Sequence, residues 1–290
     1  MEPFEYFAPS SITDALLLLD AKREARVLAG GTDLLVQLKQ RELSAECLID
    51  LKLIPELRGV ELGEDNHLHV GALTTVSEII GSDIVNDEIP ILRQVAESMG
   101  SWQVRNKATI GGNICRAAPS ADFAPVLLVL DAQLKIVNSR AERIVNLTNF
   151  FTGPGKTVLQ RNDILQEIII QVPSGSWALE YGRQSRRKTM DLALVNVAVF
   201  LMLDSGKSVC EDIRIAVGSV APTPVRARNA EQYLSKAEIS TERINTASRM
   251  AAEETDPISD VYGSAWYKRE VVRAQTARTL KEAHSNFCRC

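Results

Sequence analysis

The sequence has no excess of basic residues, no long apolar run and almost no histidine. Lys and Arg number 33 against 37 Asp and Glu, a net charge of −4 over 290 residues. A nucleic acid backbone needs a cationic surface to neutralise it, so nucleic acid is not an expected partner. The longest apolar stretches, such as residues 192–203, fall far short of the ~20 residues that span a bilayer, and no membrane partner is expected. The N-terminus, MEPFEYFAPSS, carries neither the basic nor the apolar segment of a secretory signal. The five cysteines, Cys47, Cys115, Cys210, Cys288 and Cys290, are odd in number and mostly scattered. That is a poor disulfide framework, and it suits a reducing, cytoplasmic compartment. Of the three histidines, His67 and His69 share one face of an expected strand, with no third ligand to make a metal site. His284 stands apart, and Cys288-x-Cys290 reads as a frayed tail. No metal site is expected on this chain.

Two nucleotide-binding signatures are also missing. No G-x-G-x-x-G occurs, so a dinucleotide would have to be held by something other than a Rossmann fold. Gly153-Pro154-Gly155-Lys156-Thr157 ends like a P-loop, but Phe150 stands where the first glycine is required. Proline also removes a main-chain donor there, which leaves a structural turn.

The length suggests about two domains at roughly 150 residues each. Up to residue 173, short strands and helices alternate in small blocks. The strands fall near residues 25–28, 47–51, 60–62, 67–70, 133–137, 143–146 and 166–172, and the helices near 33–39, 75–80, 91–99 and 123–130. Pro173-Ser174-Gly175-Ser176 is the best linker. Beyond it, residues 192–203 and 213–220 read as an antiparallel hairpin followed by helices at 227–234, 241–253 and 267–282. The whole is of the α+β class, divided at 1–173 and 174–290.

Two glycine pairs carry the chemistry. Ala29-Gly30-Gly31-Thr32-Asp33 follows a strand directly, and Thr109-Ile110-Gly111-Gly112-Asn113 lies about eighty residues on. Glycine leaves main-chain N–H groups unscreened and permits positive φ. A run of such groups at a helix start can cradle a phosphate. Plain turns account for either pair alone equally well. Two pairs with adjacent hydroxyls and amides suggest one pyrophosphate held from two sides.

The stretch from Val27 to Leu35 and the stretch Ala108-Thr109-Ile110-Gly111-Gly112-Asn113-Ile114 resemble the FAD-binding subunits of molybdenum hydroxylases. So do Pro119-Ser120-Ala121-Asp122 and Arg186-Arg187-Lys188-x-x-Asp191-Leu192-Ala193, while Phe151-Thr152-Gly153-Pro154-Gly155-Lys156 is most similar to the bacterial xanthine dehydrogenase branch. The carbon monoxide dehydrogenase medium subunit is also similar. The resemblance implies a two-lobed FAD-binding fold of the vanillyl-alcohol-oxidase type. A flavoprotein C-terminal domain with a small antiparallel sheet and helices follows it.

The resemblance also implies the site. Val27, Leu28, Ala29, Gly30, Gly31, Thr32, Asp33 and Leu34 in the first loop, and Thr109, Gly111, Gly112 and Asn113 in the second, are expected to contact FAD. Asp122 matches an acidic residue on the adenosine side, where a carboxylate can accept ribose hydroxyls; capping the helix at Phe123 is its structural alternative. Leu165 matches an apolar residue near the flavin, and Arg183 a basic one whose charge would favour the anionic reduced ring. Lys188 stays open. FAD is expected to be non-covalent, with Cys115 packing rather than linking. The molybdopterin cofactor and two 2Fe-2S clusters are expected on a large and a small partner subunit. Electrons would leave the flavin for NAD+ or another acceptor, and no residue of this chain is expected to be catalytic. Two other readings are a stand-alone flavin-dependent oxidoreductase on the same fold and a non-enzymatic assembly module.

Overall fold

The computed structural model describes residues 3–187 and 190–289, so Lys188 and Cys290 lie outside the described residues. Two small sheets share the N-terminal part. The first is a parallel sheet of β1 (Glu5–Phe7), β3 (Cys47–Asp50) and β2 (Ala25–Leu28), in that order. Helix α1 (Ile12–Ala21) joins β1 to β2, and α2 (Leu34–Gln40) joins β2 to β3. Ser11 starts α1 by accepting the Asp14 amide, the cap that the Ser11-x-x-Asp14 spacing predicts. Strand β1 has no apolar alternation, and sequence pattern gives no sign of it.

The second sheet is antiparallel. Its order is β4 (Val60–Leu62), β5 (His67–Gly71), β10 (Ile164–Gln171), β6 (Gln133–Val137) and β7 (Glu142–Asn146). Helices α3 (Val76–Ile80), α4 (Asp83–Glu88), α5 (Ile91–Ser98), α6 (Trp102–Arg105), α7 (Ile110–Arg116) and α8 (Phe123–Val129) lie between β5 and β6. Strands β8 (Phe151–Gly153) and β9 (Lys156–Thr157) form a small hairpin around Pro154-Gly155, which is the expected turn.

The third sheet is antiparallel, β11 (Ala178–Gln184), β12 (Val195–Leu203), β13 (Cys210–Gly218) and β14 (Val225–Arg226). Helices α9 (Arg228–Leu234), α10 (Thr241–Glu253) and α11 (Ala265–Arg289) follow it. The long apolar run at β12 has a simple cause. Val195, Val197, Val199, Leu201 and Leu203 face the core shared with the C-terminal helices, while Ala198 and Phe200 face the core around α8. A strand covered on both faces is apolar at every position rather than at alternate ones. All seven residues of α8 are buried, and α8 packs against β12 and β13 on one side and α5 on the other.

Candidate functional site

The parallel pairing of β2 with β3 sets Leu28 beside Asp50, so both strands end at one edge. The first glycine pair begins at that edge. Gly31 has φ +74, a left-handed conformation that glycine adopts without strain. The chain then enters α2 at Leu34. No described residue accepts a hydrogen bond from the main-chain N–H of Gly30, Gly31, Thr32, Asp33 or Leu34. Such a row of free donors at a helix start makes a concave, electropositive seat.

The second glycine pair is built differently, and here the expectation of bare amides at both bends is corrected. Gly111 and Gly112 occupy the first turn of α7, not a positive-φ bend. Their donors are used within the protein. The Ile110 amide donates to Thr74 O (3.1 Å), Gly111 to Ala72 O (2.9 Å) and Asn113 to Thr109 O (2.9 Å). Gly112 donates to the Thr109 hydroxyl oxygen at 3.0 Å, which makes Thr109 the N-cap. Glycine is needed for close approach instead. A Cβ on Gly111 would lie 2.5 Å from Ala72 O, and one on Gly112 would lie 2.7 Å from Thr109 Oγ1 and 3.8 Å from the Ala29 methyl. What this loop does offer is the side chain of Asn113, whose buried Oδ1 has no partner among the described residues.

The two loops touch. A Cβ on Gly30 would lie 2.7 Å from the Lys107 carbonyl carbon and 3.1 Å from Ala108 Cα. Gly30 is therefore glycine because the first loop leans on the chain entering the second, not for φ. Arg116, in the last turn of α7, donates to the Asp33 carboxylate and ties the loops a second time. Lys52, just past β3, donates to Ala29 O at 3.3 Å while paired with Asp50 at 2.7 Å. Tyr6 donates to the same Asp50 oxygen at 2.6 Å. Arg116 and Lys52 carry no motif. Only the rule that ligands gather at the C-terminal ends of parallel strands could have directed attention to Lys52.

Leu165 lies in β10, 5% exposed, within the core of the second sheet. The next residue, Gln166, sits at a β-bulge, and its carbonyl accepts the Ala72 amide at 2.9 Å. Since Ala72 O in turn accepts the Gly111 amide, this strand supports the second loop from beneath.

Asp122 and Arg183 meet across 61 residues. Arg183 Nε donates to Asp122 Oδ1 at 3.0 Å, with the side chains only 9% and 13% exposed. Arg183 also donates to Ser185 Oγ (3.0 Å) and to Asp191 O. The Tyr181 hydroxyl donates to Asp122 Oδ1 at 3.4 Å and accepts from Asn196 Nδ2 at 3.4 Å. The helix-cap alternative for Asp122 is thereby corrected, because its side chain makes no cap bond. Burial pushes the Asp122 carboxyl above the usual carboxylate range, and the Arg183 guanidinium opposes that rise without cancelling it. Asp122 Oδ2 has no hydrogen bond to any described residue.

Residues 2–173 match the model of the FAD binding domain in molybdopterin dehydrogenase, and residues 180–283 match the CO dehydrogenase flavoprotein C-terminal domain. The chain belongs to the FAD-binding family of the molybdopterin dehydrogenases. It is 33% identical over 279 residues to the xanthine dehydrogenase FAD-binding subunit of Escherichia coli O157:H7, covering 96% of this chain and 95% of that one. It is 35% identical to the carbon monoxide dehydrogenase medium chain of Hydrogenophaga pseudoflava, covering 99% and 98% of the two. The solved structure of that organism's carbon monoxide dehydrogenase, in a form lacking the Mo-pyranopterin moiety, superposes with a TM-score of 0.94 at 33% identity, covering 98% and 99%. This FAD-binding chain is an oxidoreductase subunit that acts within a complex. Among its described residues no helix is long and apolar enough to cross a membrane.

Proposed function

We propose that the chain is the electron-transfer subunit of a xanthine dehydrogenase-like molybdenum hydroxylase, with FAD held non-covalently across the two glycine loops. One observation carries this reading. Five consecutive unpartnered main-chain donors, Gly30 to Leu34, lie in a loop packed against a second one that presents the unpartnered Asn113 Oδ1. Those donors suit the two negative charges of a diphosphate, and the N-terminus of α2 adds a favourable dipole. Val27, Leu28, Ala29 and Leu34 shape the same seat.

The second loop, with Thr109, Gly111, Gly112 and Asn113, would close the opposite side, Asn113 Oδ1 accepting from a donor of the cofactor. Asp122 Oδ2 is free to accept a ribose hydroxyl. Arg183 has N–H groups beyond those given to Asp122, Ser185 and Asp191. Leu165 would serve chiefly by holding the strand beneath the second loop. When bound, FAD supplies exchange between one-electron and two-electron carriers. The chain's own residues bind it and set its surroundings, and none needs to act as acid or base. Burial pushes the Cys115 thiol up to about 12, so no thiolate is offered there for a covalent link.

Within this reading, residues 1–173 form the FAD domain and residues 174–290 the C-terminal flavoprotein domain. A large molybdopterin subunit and a small 2Fe-2S subunit deliver electrons in the cytoplasm, and NAD+ or another acceptor removes them. The names of the relatives, medium chain and FAD-binding subunit, favour such an assembly.

The first test is flavin content. The full-length chain is expected to bind one FAD, and Gly31→Val is expected to lose it, because the new side chain meets Leu35 and Leu28 at 3.0 and 3.1 Å in a left-handed position. A folded Gly31→Val variant with stoichiometric FAD would overturn the assignment. Co-purification from native cells, with molybdenum and iron analysis, tests the partners. A chain that elutes alone would count against them.

A further inference from the structure

Asp33 puts a negative charge into a loop whose main-chain donors, Gly30 to Leu34, stand free for an anion. An aspartate just before a helix ordinarily turns its side chain back onto the helix amides. Asp33 precedes α2 but makes no such cap bond. Its Oδ2 accepts instead from Gln37 Nε2, one turn on in α2, and from Arg116 Nε, 83 residues away in the last turn of α7. The carboxylate is thus held by two side chains rather than by the loop it belongs to.

Arg116 is itself supported. The Gly155 amide donates to Ala117 O at 2.9 Å, and a Cβ on Gly155 would lie 3.2 Å from Arg116 Nη1. The Gly153-Pro154-Gly155 hairpin, which is no P-loop, therefore backs the guanidinium. The Arg116 and Asp33 side chains are 43% and 51% exposed, and an ion pair that open to water adds little to folding. Its effect on a bound anion is larger, because like charges set side by side at a binding surface are strongly unfavourable. Lys52, also at the first loop, is engaged by Asp50 at 2.7 Å and does not take over the task.

We propose that Arg116 is a positioning residue for the cofactor. It cancels the Asp33 charge and holds that carboxylate off the row of free donors, so that the row can take a diphosphate. Arg116 acts through Asp33, not by touching the phosphate. This role rests on the flavin reading and adds to it a residue outside the two glycine pairs, with a third segment, the 153–155 hairpin, behind it.

The test titrates the flavin-stripped full chain with FAD at low and at high salt, with melting temperatures measured in parallel. Arg116→Met is expected to bind FAD about tenfold more weakly at low salt, while its melting temperature moves by no more than about 4 °C. Arg116→Lys keeps a cation at the position and is expected to keep most of the affinity. High salt should narrow the Arg116→Met deficit, since it screens the uncovered carboxylate. In an Asp33→Asn background the same Arg116→Met change is expected to cost less than about twofold. A deficit that persists undiminished in that background overturns the role, because Arg116 would then bind the phosphate itself or merely brace the loop. So does an Arg116→Met variant with wild-type affinity. A wild-type chain that takes up no FAD at all overturns the flavin reading and this role with it, an outcome distinct from the other two.

Discussion

Replacing Gly30 by alanine adds one methyl at the point where the two loops touch. Its Cβ would start 2.7 Å from the Lys107 carbonyl carbon and 3.1 Å from Ala108 Cα, both main-chain atoms that cannot swing aside. The Lys107 carbonyl oxygen lies nearer still, and ordinary carbon–carbon contact is about 3.5–4.0 Å, so the loops must part by at least about 1 Å. Overpacking of this kind costs about 1–3 kcal/mol, and each kcal/mol lowers the melting temperature by roughly 2–4 °C in a chain of this size. The same 1 Å takes a donor at an ordinary hydrogen-bond distance out of range. One charge-assisted hydrogen bond contributes about 1.5–3 kcal/mol, so FAD affinity should fall at least about tenfold. Gly175→Ala is the control. It too has a left-handed conformation, φ +79, but no atom lies within 4 Å, so it should cost about 1 kcal/mol and leave FAD untouched. Flavin fluorescence titration and thermal melts separate the outcomes. A destabilised Gly30→Ala variant with wild-type affinity would mean that the loops touch but do not bind the coenzyme. A variant unchanged in both would refute the packing itself.

Thr109→Ala removes the N-cap of α7 and strands the Gly112 amide. About 1 kcal/mol should be lost, as read by urea unfolding, with Thr109→Ser restoring it. Arg183→Met leaves the Asp122 carboxyl buried without its cation and should cost about 3–5 kcal/mol. Because the folded state already holds the Asp122 proton more tightly than the unfolded chain, this group's contribution to stability falls as pH rises from the usual carboxylate value through the folded one. Asp122→Asn should flatten that part of the profile, and an unchanged slope would count against the assignment. Asp163 works in the opposite sense. Burial pushes its carboxyl up, but hydrogen bonds from Arg143, the Gln160 amide and Asn138 outweigh burial and leave it below the ordinary value. Its stabilisation is present above about pH 4 and is lost as pH falls through the folded value, so Asp163→Asn should flatten the acid limb of unfolding.

The elements that could be read from sequence are those whose pattern has a local cause. The hairpin of β4 and β5, the pairing of β6 with β7, and the β12–β13 hairpin all follow from apolar alternation or a double-sided apolar run bounded by turn residues. Helix α10 was legible to the residue because Ser240 caps it by accepting the Arg243 amide. Strand β1 was not, since two exposed residues and one half-buried one carry no period. Both glycine loops were legible as loops, but not the reason for each glycine. The conformational reason holds at Gly31, whereas Gly30, Gly111 and Gly112 answer to atoms 39 to 78 positions distant or to a helix cap that only the fold supplies. Arg116 and Lys52 stayed invisible for the same reason, since a cation beside Asp33 or Ala29 is a fact of tertiary proximity. The C-terminal cysteines misled in the other direction. A tail composition suggests fraying, yet Phe287 buries the last turn.

Helix α8 shows why the third sheet belongs to the site as well as to its own core. At the helix start, Asp122 is held by Arg183 and Tyr181 from β11. At its end, Leu128 O accepts from Arg226 Nη1 at 3.0 Å, and Val129 O accepts from Arg214 Nη1 at 3.1 Å. Two guanidinium groups on the last carbonyls complement the negative end of a helix dipole, and both also pair with Asp131 at 2.8 Å. All four residues come from the third sheet, whereas α8 follows directly on the second glycine loop through Pro119-Ser120-Ala121. The Ser219 amide, just past β13, donates to Pro119 O at 2.7 Å within that very connection. The path from α7 to α8 is therefore fixed by residues 181–226, and the geometry of the second loop depends on the third sheet as well as on the strands beneath it.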